Sequence, residues 1–277
     1  MSEPVPLPLS LLVLTYNEAD NIARCLDSVP FAAERLVIDC GSTDATAAIA
    51  RAHGARVVEQ PWLGFGPQRR AATALARHPW ILFLDADEWL SAELAAELER
   101  RLPELLESAY AGAFLRRAAW FMGARMRWYR PLARERIERL YHRDRAQWST
   151  APVHEALRFS GPALELRAPL LHAYSPSLAH RMLKDVYYAE LRARQRTALG
   201  RRPMLWLTPL VFGATFLKDY VLRLGALDGA RGWIASYLAA SYAVYKRMRQ
   251  YEMSVNPQSI ELARAALERF GLERRKS

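Results

Sequence analysis

Leu9-Ser10-Leu11-Leu12-Val13-Leu14 runs without a charge into Thr15-Tyr16-Asn17-Glu18, and the reading of this junction decides the fold. A short, nearly continuous apolar run is the pattern of a strand covered on both faces, as in a parallel sheet. Behind it Asn17, Asp20 and Asn21 are residues that cap helices, and Ile22, Leu26 and Val29 recur at helical spacing. The pattern then repeats. Arg35-Leu36-Val37-Ile38 ends in Asp39, and Gly41-Ser42-Thr43-Asp44 opens a helix that stops at His53-Gly54. Gly41 permits a tight turn there, and Ser42 or Thr43 can cap. Arg56-Val57-Val58-Glu59 leads into the loop Gln60-Pro61-Trp62-Leu63-Gly64-Phe65-Gly66-Pro67, after which a helix is expected from about Gln68 to Arg77. Strand and helix alternate through the first hundred residues, which predicts a parallel α/β sheet.

The next apolar run, Trp80-Ile81-Leu82-Phe83-Leu84, closes in Asp85-Ala86-Asp87-Glu88. Parallel sheets bind ligands beyond the carboxyl ends of their strands, and Thr15 to Glu18, Asp39 and Asp85 to Glu88 all fall there. Two carboxylates one residue apart share a face if the backbone stays extended. Mg²⁺ or Mn²⁺ takes such oxygen ligands together with substrate phosphates. An isolated acidic pair would be an ordinary solvated turn; the shared location of the three segments argues for a site. No G-x-G-x-x-G follows the first strand and no G-x-x-x-x-G-K-[ST] occurs, so the two familiar glycine-rich phosphate loops are excluded. What remains is a nucleotide whose phosphates are neutralised by a divalent metal.

Leu14-Thr15-Tyr16-Asn17-Glu18, Asp39-Cys40-Gly41-Ser42-Thr43-Asp44 and Leu84-Asp85-Ala86-Asp87-Glu88 together resemble the signatures of family 2 inverting glycosyltransferases of GT-A fold. The Gln60-Pro61-Trp62…Gly64-Phe65-Gly66…Gln68 loop resembles the bacterial branch that adds glucose or similar sugars to the lipopolysaccharide core. The resemblance covers about residues 9 to 175. It implies that Thr15, Tyr16 and Glu18 border the nucleotide and that Asp39 accepts a hydrogen bond from the base. Asp85 and Asp87 would flank ribose and pyrophosphate, with Asp87 touching the metal. Asn17 and Asp44 could be caps only. Relatives commonly carry a basic residue followed by Asn where this chain has Arg69-Arg70; Arg69 remains the candidate cation near the donor, and Arg70 is read as a solvated helix residue.

Further on, Trp120-Phe121-Met122-Gly123, Trp128-Tyr129-Arg130-Pro131 and Arg136-Ile137-Glu138-Arg139-Leu140-Tyr141 interleave aromatic and basic residues. The pattern suits a sugar cleft, where aromatic faces stack and arginines donate, and equally a core with an arginine rim. The resemblance favours the cleft, with Arg136 and Arg139 as the functional pair. Inverting transfer needs a base for the acceptor hydroxyl. Glu155 in Val153-His154-Glu155 is the candidate, with His154 as substrate contact; Glu88 competes for the role. His172 is either a late metal ligand or a core histidine.

Charge divides the chain. Residues 1–100 carry 8 basic and 14 acidic side chains, whereas the other 177 carry 31 and 15. Seven Lys or Arg fall within residues 181–202. Two apolar stretches follow, Pro203 to Leu217 and Trp233 to Tyr245, each shorter than the roughly 20 residues of a spanning helix. With basic flanks and aromatic residues such as Trp206 and Phe212, they fit helices lying in an anionic membrane interface, or alternatively a helical subdomain packed on the sheet. The expected organisation is a GT-A Rossmann-like, mostly parallel catalytic domain over residues 1–178 and a helical membrane-associating region over 179–277. Two cysteines offer no disulfide framework, and the first residues show no charged segment followed by an apolar one. The expectation is a cytoplasmic enzyme, peripheral on the inner face of the membrane. Its partners would be a nucleotide-sugar donor and a glycolipid acceptor. No nucleic-acid recognition motif is present. A polyprenyl-phosphate acceptor, a nucleotidyltransferase without its glycine-rich loop, and a non-catalytic membrane-surface protein are the alternatives.

Overall fold

The computed structural model describes residues 6–133, 135–149, 156–175 and 177–269. The alternation along the first hundred residues is realised as β1 (Leu7–Thr15), α1 (Ile22–Asp27), β2 (Ala32–Asp39), α2 (Thr46–Ala52), β3 (Arg56–Glu59), α3 (Phe65–Leu75) and β4 (Trp80–Asp85). Helix α3 begins three residues before its expected start. Pro67 sits in its first turn, where a missing N–H leaves no intrahelical bond unmade. Then come β5 (Glu88–Leu90), α4 (Ala92–Leu106), β6 (Gly112–Phe121), β7 (Ala124–Arg125), α5 (Arg130–Ala133), β8 (Glu135–His142), β9 (Ala146–Trp148), β10 (Leu157–Phe159) and β11 (Ala163–Ser175).

The main sheet has strand order β3-β2-β1-β4-β8-β6-β11-β5, with β7 added on β6, and β9 and β10 form a separate hairpin. Strands β3, β2, β1 and β4 are parallel, in a register that aligns the carboxyl ends of β1, β2 and β4: Thr15 lies opposite Asp39, and Leu14 opposite Asp85. The fold is α/β with a helical C-terminal region, as expected, but the sheet is parallel only over this half. Strand β8 runs antiparallel to both β4 and β6, and β5 antiparallel to β11. These directions are set at long range: β8 reaches β4 only after β5, α4, β6 and α5, and residues 91–162 separate β5 from β11, whereas the short turn after β6 joins it to its antiparallel neighbour β7.

Burial follows the pattern read from β1 and β4. Leu9, Leu11, Leu12 and Val13 and the whole run Trp80 to Leu84 are buried, because both faces of these central strands are covered. Leu9, Leu11 and Val13 pack with Ile22, Leu26 and the α4 leucines Leu94, Leu98 and Leu102; Leu12 packs on the other face with Phe83, Tyr141 and Trp148.

Contacts divide the chain into two compact units, residues 1–119 with 134–173, and residues 120–133 with 174–277. The second unit contains α6 (Leu178–Ala198), α7 (Thr208–Leu217), α8 (Gly229–Val255) and α9 (Ser259–Arg269). A π-helical turn at Lys218–Leu222 continues α7, so one helical run of 18 residues, Leu205–Leu222, is apolar enough to cross a membrane by length and composition. The sequence reading stopped at Leu217, at the first charges. Asp219 lies inside the run because it is buried and hydrogen-bonded, not because it is tolerated in lipid. Helices α6 and α8 are joined by a buried polar group: Glu190 accepts from Arg249 and, at 2.8 Å, from Arg194, while Arg249 also donates to Ser259 Oγ at 2.7 Å. Close approach within the unit depends on glycine, since a Cβ on Gly232 would lie 1.8 Å from the carbonyl oxygen of Gly225.

Candidate active site

The first two signature segments are laced to each other by their polar side chains. Asn17, held at φ 54°, donates its backbone N–H to Ser42 Oγ at 2.9 Å and accepts the N–H of Thr43 at 2.8 Å. The N–H of Glu18 bonds Thr46 Oγ1 at 2.8 Å, and Asp44 accepts from Ala19 at 3.2 Å and from the Thr46 N–H at 3.0 Å. Asn17 and Asp44 therefore do more than cap: they bridge two loops that are 25 or more residues apart in sequence. Asp39, almost fully buried, accepts both the N–H and the hydroxyl of Ser42. Beside it the Thr15 hydroxyl is buried and has no hydrogen-bond partner. An unsatisfied buried hydroxyl costs about 1–3 kcal/mol, so this position is suited to a ligand that completes it. Tyr16 is exposed and Glu18 accepts from the Asn21 side chain at 2.8 Å.

The acidic tetrad does not remain extended. A turn at Ala86-Asp87 separates β4 from β5, and it sends the three carboxylates to different partners. Asp85 accepts from Arg139 Nη2 at 2.6 Å, and its other oxygen lies 3.7 Å from Arg69. Asp87 lies 3.2 Å from His172 Nε2, and its carbonyl accepts the N–H of Ala173 at 2.8 Å. Glu88 turns inward and is fully buried. It accepts from Arg139 Nε and Nη2 at 2.9 and 2.8 Å, from Arg117 at 2.9 Å, and from the backbone N–H of Asp85 at 3.2 Å. Burial pushes the Glu88 carboxyl up, but the Arg139 and Arg117 charges outweigh it and hold the group below its ordinary value. Burial likewise pulls the Arg139 guanidinium down, and the Glu88 and Asp85 charges more than reverse this. Burial, then the same carboxylates, keeps the neighbouring Cys25 thiol well above its ordinary range and hence neutral.

Arg139 reaches these carboxylates because of a bulge. Ala113 pairs with Leu140 and Phe114 with Glu138, so Arg139 is the extra residue of β8. A bulge re-aims the side chain it carries. Arg136 is not brought to the same place. It is half exposed, donates to Glu165 at 2.7 Å and lies over the Phe114 ring. The pair read from the sequence is thus separated: Arg139 joins Asp85, and Arg136 serves a surface ion pair. Arg69, buried over Phe83 and Trp148, stands on the same side of Asp85 as expected of it. Its neighbour Arg70 is not simply solvated, since it donates to the carbonyl of Ser149 at 3.1 Å and so holds the chain entering residues 150–155. His154 and Glu155 lie outside the described residues.

Arg117 was missed by sequence reasoning. Nothing marks it there, because its partner Glu88 is 29 residues away and meets it only across the sheet. His172 is neither in the core nor remote: it lies opposite Glu88 in the β11–β5 ladder, with its ring at Asp87.

Among the described residues, no cluster of three or more His, Cys, Asp or Glu side chains is arranged to hold a metal alone. Asp87 with His172 is a two-ligand set. That set fits Mg²⁺ or Mn²⁺, which commonly binds through one or two protein groups and draws its remaining ligands from phosphate and water.

Motif loops gathered at the carboxyl end of a parallel half-sheet, with a carboxylate pair framed by arginines, define a polar ligand-binding site of an α/β protein. The particular family follows from comparison. Residues 10–160 match the family model for glycosyl transferase family 2, and the chain belongs to that family: it is a glycosyltransferase. It is 28% identical over 261 residues to the lipopolysaccharide core biosynthesis glycosyltransferase LpsC of Rhizobium meliloti (strain 1021), covering 89% of this chain and 93% of that protein. It is 27% identical over 278 residues to an uncharacterized glycosyltransferase of Rickettsia bellii (strain RML369-C), covering 93% and 91%. Among solved structures, the mannosyltransferase PcManGT of Pyrobaculum calidifontis, in complex with GDP-Man and Mn2+, matches 90% of each chain with a TM-score of 0.49 and 15% identity.

Proposed function

We propose that this glycosyltransferase moves a hexose, with glucose from UDP-glucose as the first choice, to a membrane glycolipid with inversion, and that the acceptor is lipopolysaccharide core. The observation that carries the donor half is the gathering of Thr15, Asp39, Asp85 and Asp87 at one sheet end. There the Thr15 hydroxyl is buried without a hydrogen-bond partner beside the Asp39 carboxylate, and Asp87 lies 3.2 Å from His172; the first pair would meet the base and the second the cation. The acceptor half is supported by the similarity to LpsC along nearly its full length and by the basic, apolar helical unit. Residues 1–178 would serve donor binding and catalysis, and residues 179–277 membrane association at the cytoplasmic face.

When bound, the divalent cation would neutralise the diphosphate as it departs. The chain's own groups have distinct tasks. Arg139 and Arg69 hold Asp85 in one orientation, so that its carboxylate is a fixed acceptor rather than a mobile repellent beside the donor. Glu88, which accepts from Arg139, Arg117 and the Asp85 N–H, would hold Arg139 in place. Glu155 would take the acceptor proton, and His154 would contact the acceptor. Arg70 donates to the carbonyls of Trp148 and Ser149.

The test is a thermal-shift screen of UDP- and GDP-sugars with and without Mn²⁺, followed by transfer to extracted lipid A-core. Bound ligand stabilises by mass action, by roughly 2.7 kcal/mol at a hundredfold excess over Kd. A metal-dependent shift with a UDP-hexose and incorporation of sugar into the glycolipid support the proposal; failure of every nucleotide sugar to shift unfolding overturns it.

A further inference from the structure

Residues 122–133 follow β6, turn back on its end as β7, and are fastened into the helical unit by a set of specific bonds. Asp228 stands immediately before α8, where a carboxylate ordinarily caps its own helix, yet it makes no such cap. Its oxygens accept instead three successive backbone N–H groups, from Arg127 and Trp128 at 3.0 Å each and from Tyr129 at 2.6 Å. The Tyr129 hydroxyl donates to buried Asp219 at 3.1 Å, the Arg130 N–H to the Arg223 carbonyl at 3.0 Å, and Arg231 Nε to the Met122 carbonyl at 3.3 Å. Loop and turn therefore form one body.

The clamp sorts the charges. Asp228 is spent on the loop and Asp219 on Tyr129 and Arg223, and residues 120–133 contain no acid, whereas Arg125, Arg127 and Arg130 remain exposed. Among them stand exposed Met122, Trp128 (45%), Leu222 (69%), Leu227 and Trp233. Large exposed apolar groups rimmed by arginine mark an interaction surface. Across the whole unit, Lys and Arg outnumber Asp and Glu by 21 to 8. A second copy of this chain would bring the same positive charge to the same patch. Nucleic acid would leave the aliphatic Leu222 and Leu227 unmatched.

We propose that this face, the 122–130 loop clamped by Asp228 to the 222–233 turn, docks on an anionic lipid interface. Trp128 and Trp233 enter the headgroup layer, where tryptophan is favoured, and the arginines meet lipid phosphates. This deepens the membrane part of the function proposed above and rests on it; it moves the main contact from the arginines of α6 to the clamped loop.

The full chain is sedimented with vesicles of equal parts phosphatidylcholine and phosphatidylglycerol, and with pure phosphatidylcholine vesicles. No nucleotide sugar is present, so a negative result leaves the donor test standing. The expected result is binding to the anionic vesicles that weakens with salt, and about a 30-fold loss of partitioning in Arg127→Gln/Arg130→Gln, the effect of removing two arginines from an anionic surface. Trp128→Ser should make the remaining binding fully salt-reversible. Circular dichroism and the unfolding midpoint check that these exposed substitutions leave the fold intact. Asp228→Asn, which keeps its shape but weakens the clamp, should lower partitioning without removing any surface charge of the loop. Equal binding by intact protein and Arg127→Gln/Arg130→Gln overturns the proposal, as does no binding to anionic vesicles at low salt. Concentration-dependent dimerisation abolished by Trp128→Ser, or tighter binding to a single-stranded oligonucleotide than to vesicles, overturns it in favour of those partners.

Discussion

The guanidinium of Arg139 and the carboxylate of Glu88 meet through two hydrogen bonds of 2.9 and 2.8 Å, with both side chains out of solvent. Breaking a buried pair by neutralising one partner leaves the other as an uncompensated charge, which typically costs 3–5 kcal/mol. Glu88→Gln should therefore lower the unfolding free energy by about 3 kcal/mol, the low end because Asp85 still faces Arg139. Urea unfolding measures this. A variant of unchanged stability that had nevertheless lost turnover would return Glu88 to the role of catalytic base.

The same pair sets an acid limit. The Glu88 carboxyl is depressed in the folded state, so its stabilisation is complete above the unfolded-state value of about 4.3 and is lost as pH falls through the lower folded value. Wild type should lose stability on acidification below about pH 4 more steeply than Glu88→Gln. Parallel stability–pH curves for the two proteins would contradict this.

Asp87 lies at a turn, partly exposed, with His172 as its side-chain partner. Asp87→Asn should abolish the Mn²⁺-dependent part of the thermal shift given by a UDP-hexose and reduce transfer to background, while the midpoint of the ligand-free protein stays in place. Normal turnover in this variant, or in wild type with excess chelator, would remove the cation from the proposal.

Glu155→Gln keeps side-chain shape and removes proton acceptance. Turnover should fall about 100-fold or more with donor affinity nearly unchanged. Should KM for the donor rise instead with kcat preserved, Glu155 binds substrate and the base lies elsewhere.

The arginines of α6 and of the segment that follows it are not equivalent. Arg194 and Arg196 are engaged with Glu190 and Gln250, whereas Arg201 and Arg202 are exposed. Arg201→Gln/Arg202→Gln should weaken anionic-vesicle binding several-fold and leave unfolding unchanged; Arg194→Gln/Arg196→Gln should show its main effect on unfolding. The reverse pattern would place α6 on the lipid with its inner face outward.

How much of the site was legible varies with the range of the interactions. That Thr15, Asp39 and Asp85 lie together was legible because strand ends and turn residues are local signals, and a parallel sheet gathers its carboxyl ends whatever its details. Arg139 carried a weaker signal, shared with Arg136, and a one-residue bulge separated the two. That bulge depends on how β6 and β8 pair, which neither strand encodes alone. Arg70 looked solvated because its partners, the carbonyls of Trp148 and Ser149, lie 78 and 79 residues onward.

By itself the sequence determined the parallel half of the sheet, the sheet end at which the motif loops meet and the separation of acidic and basic halves, because apolar runs, caps and net charge act over a few residues. The tertiary structure alone decided where the acidic tetrad goes. A turn splits Asp85 from Asp87, and two arginines from distant strands draw Glu88 inward, since a carboxylate can be buried only where opposite charges converge on it. It also decided which basic residues are left for a partner: Asp228 and Glu190 draw backbone N–H groups and arginines inward, which sharpens the surplus of Lys and Arg already present in that unit.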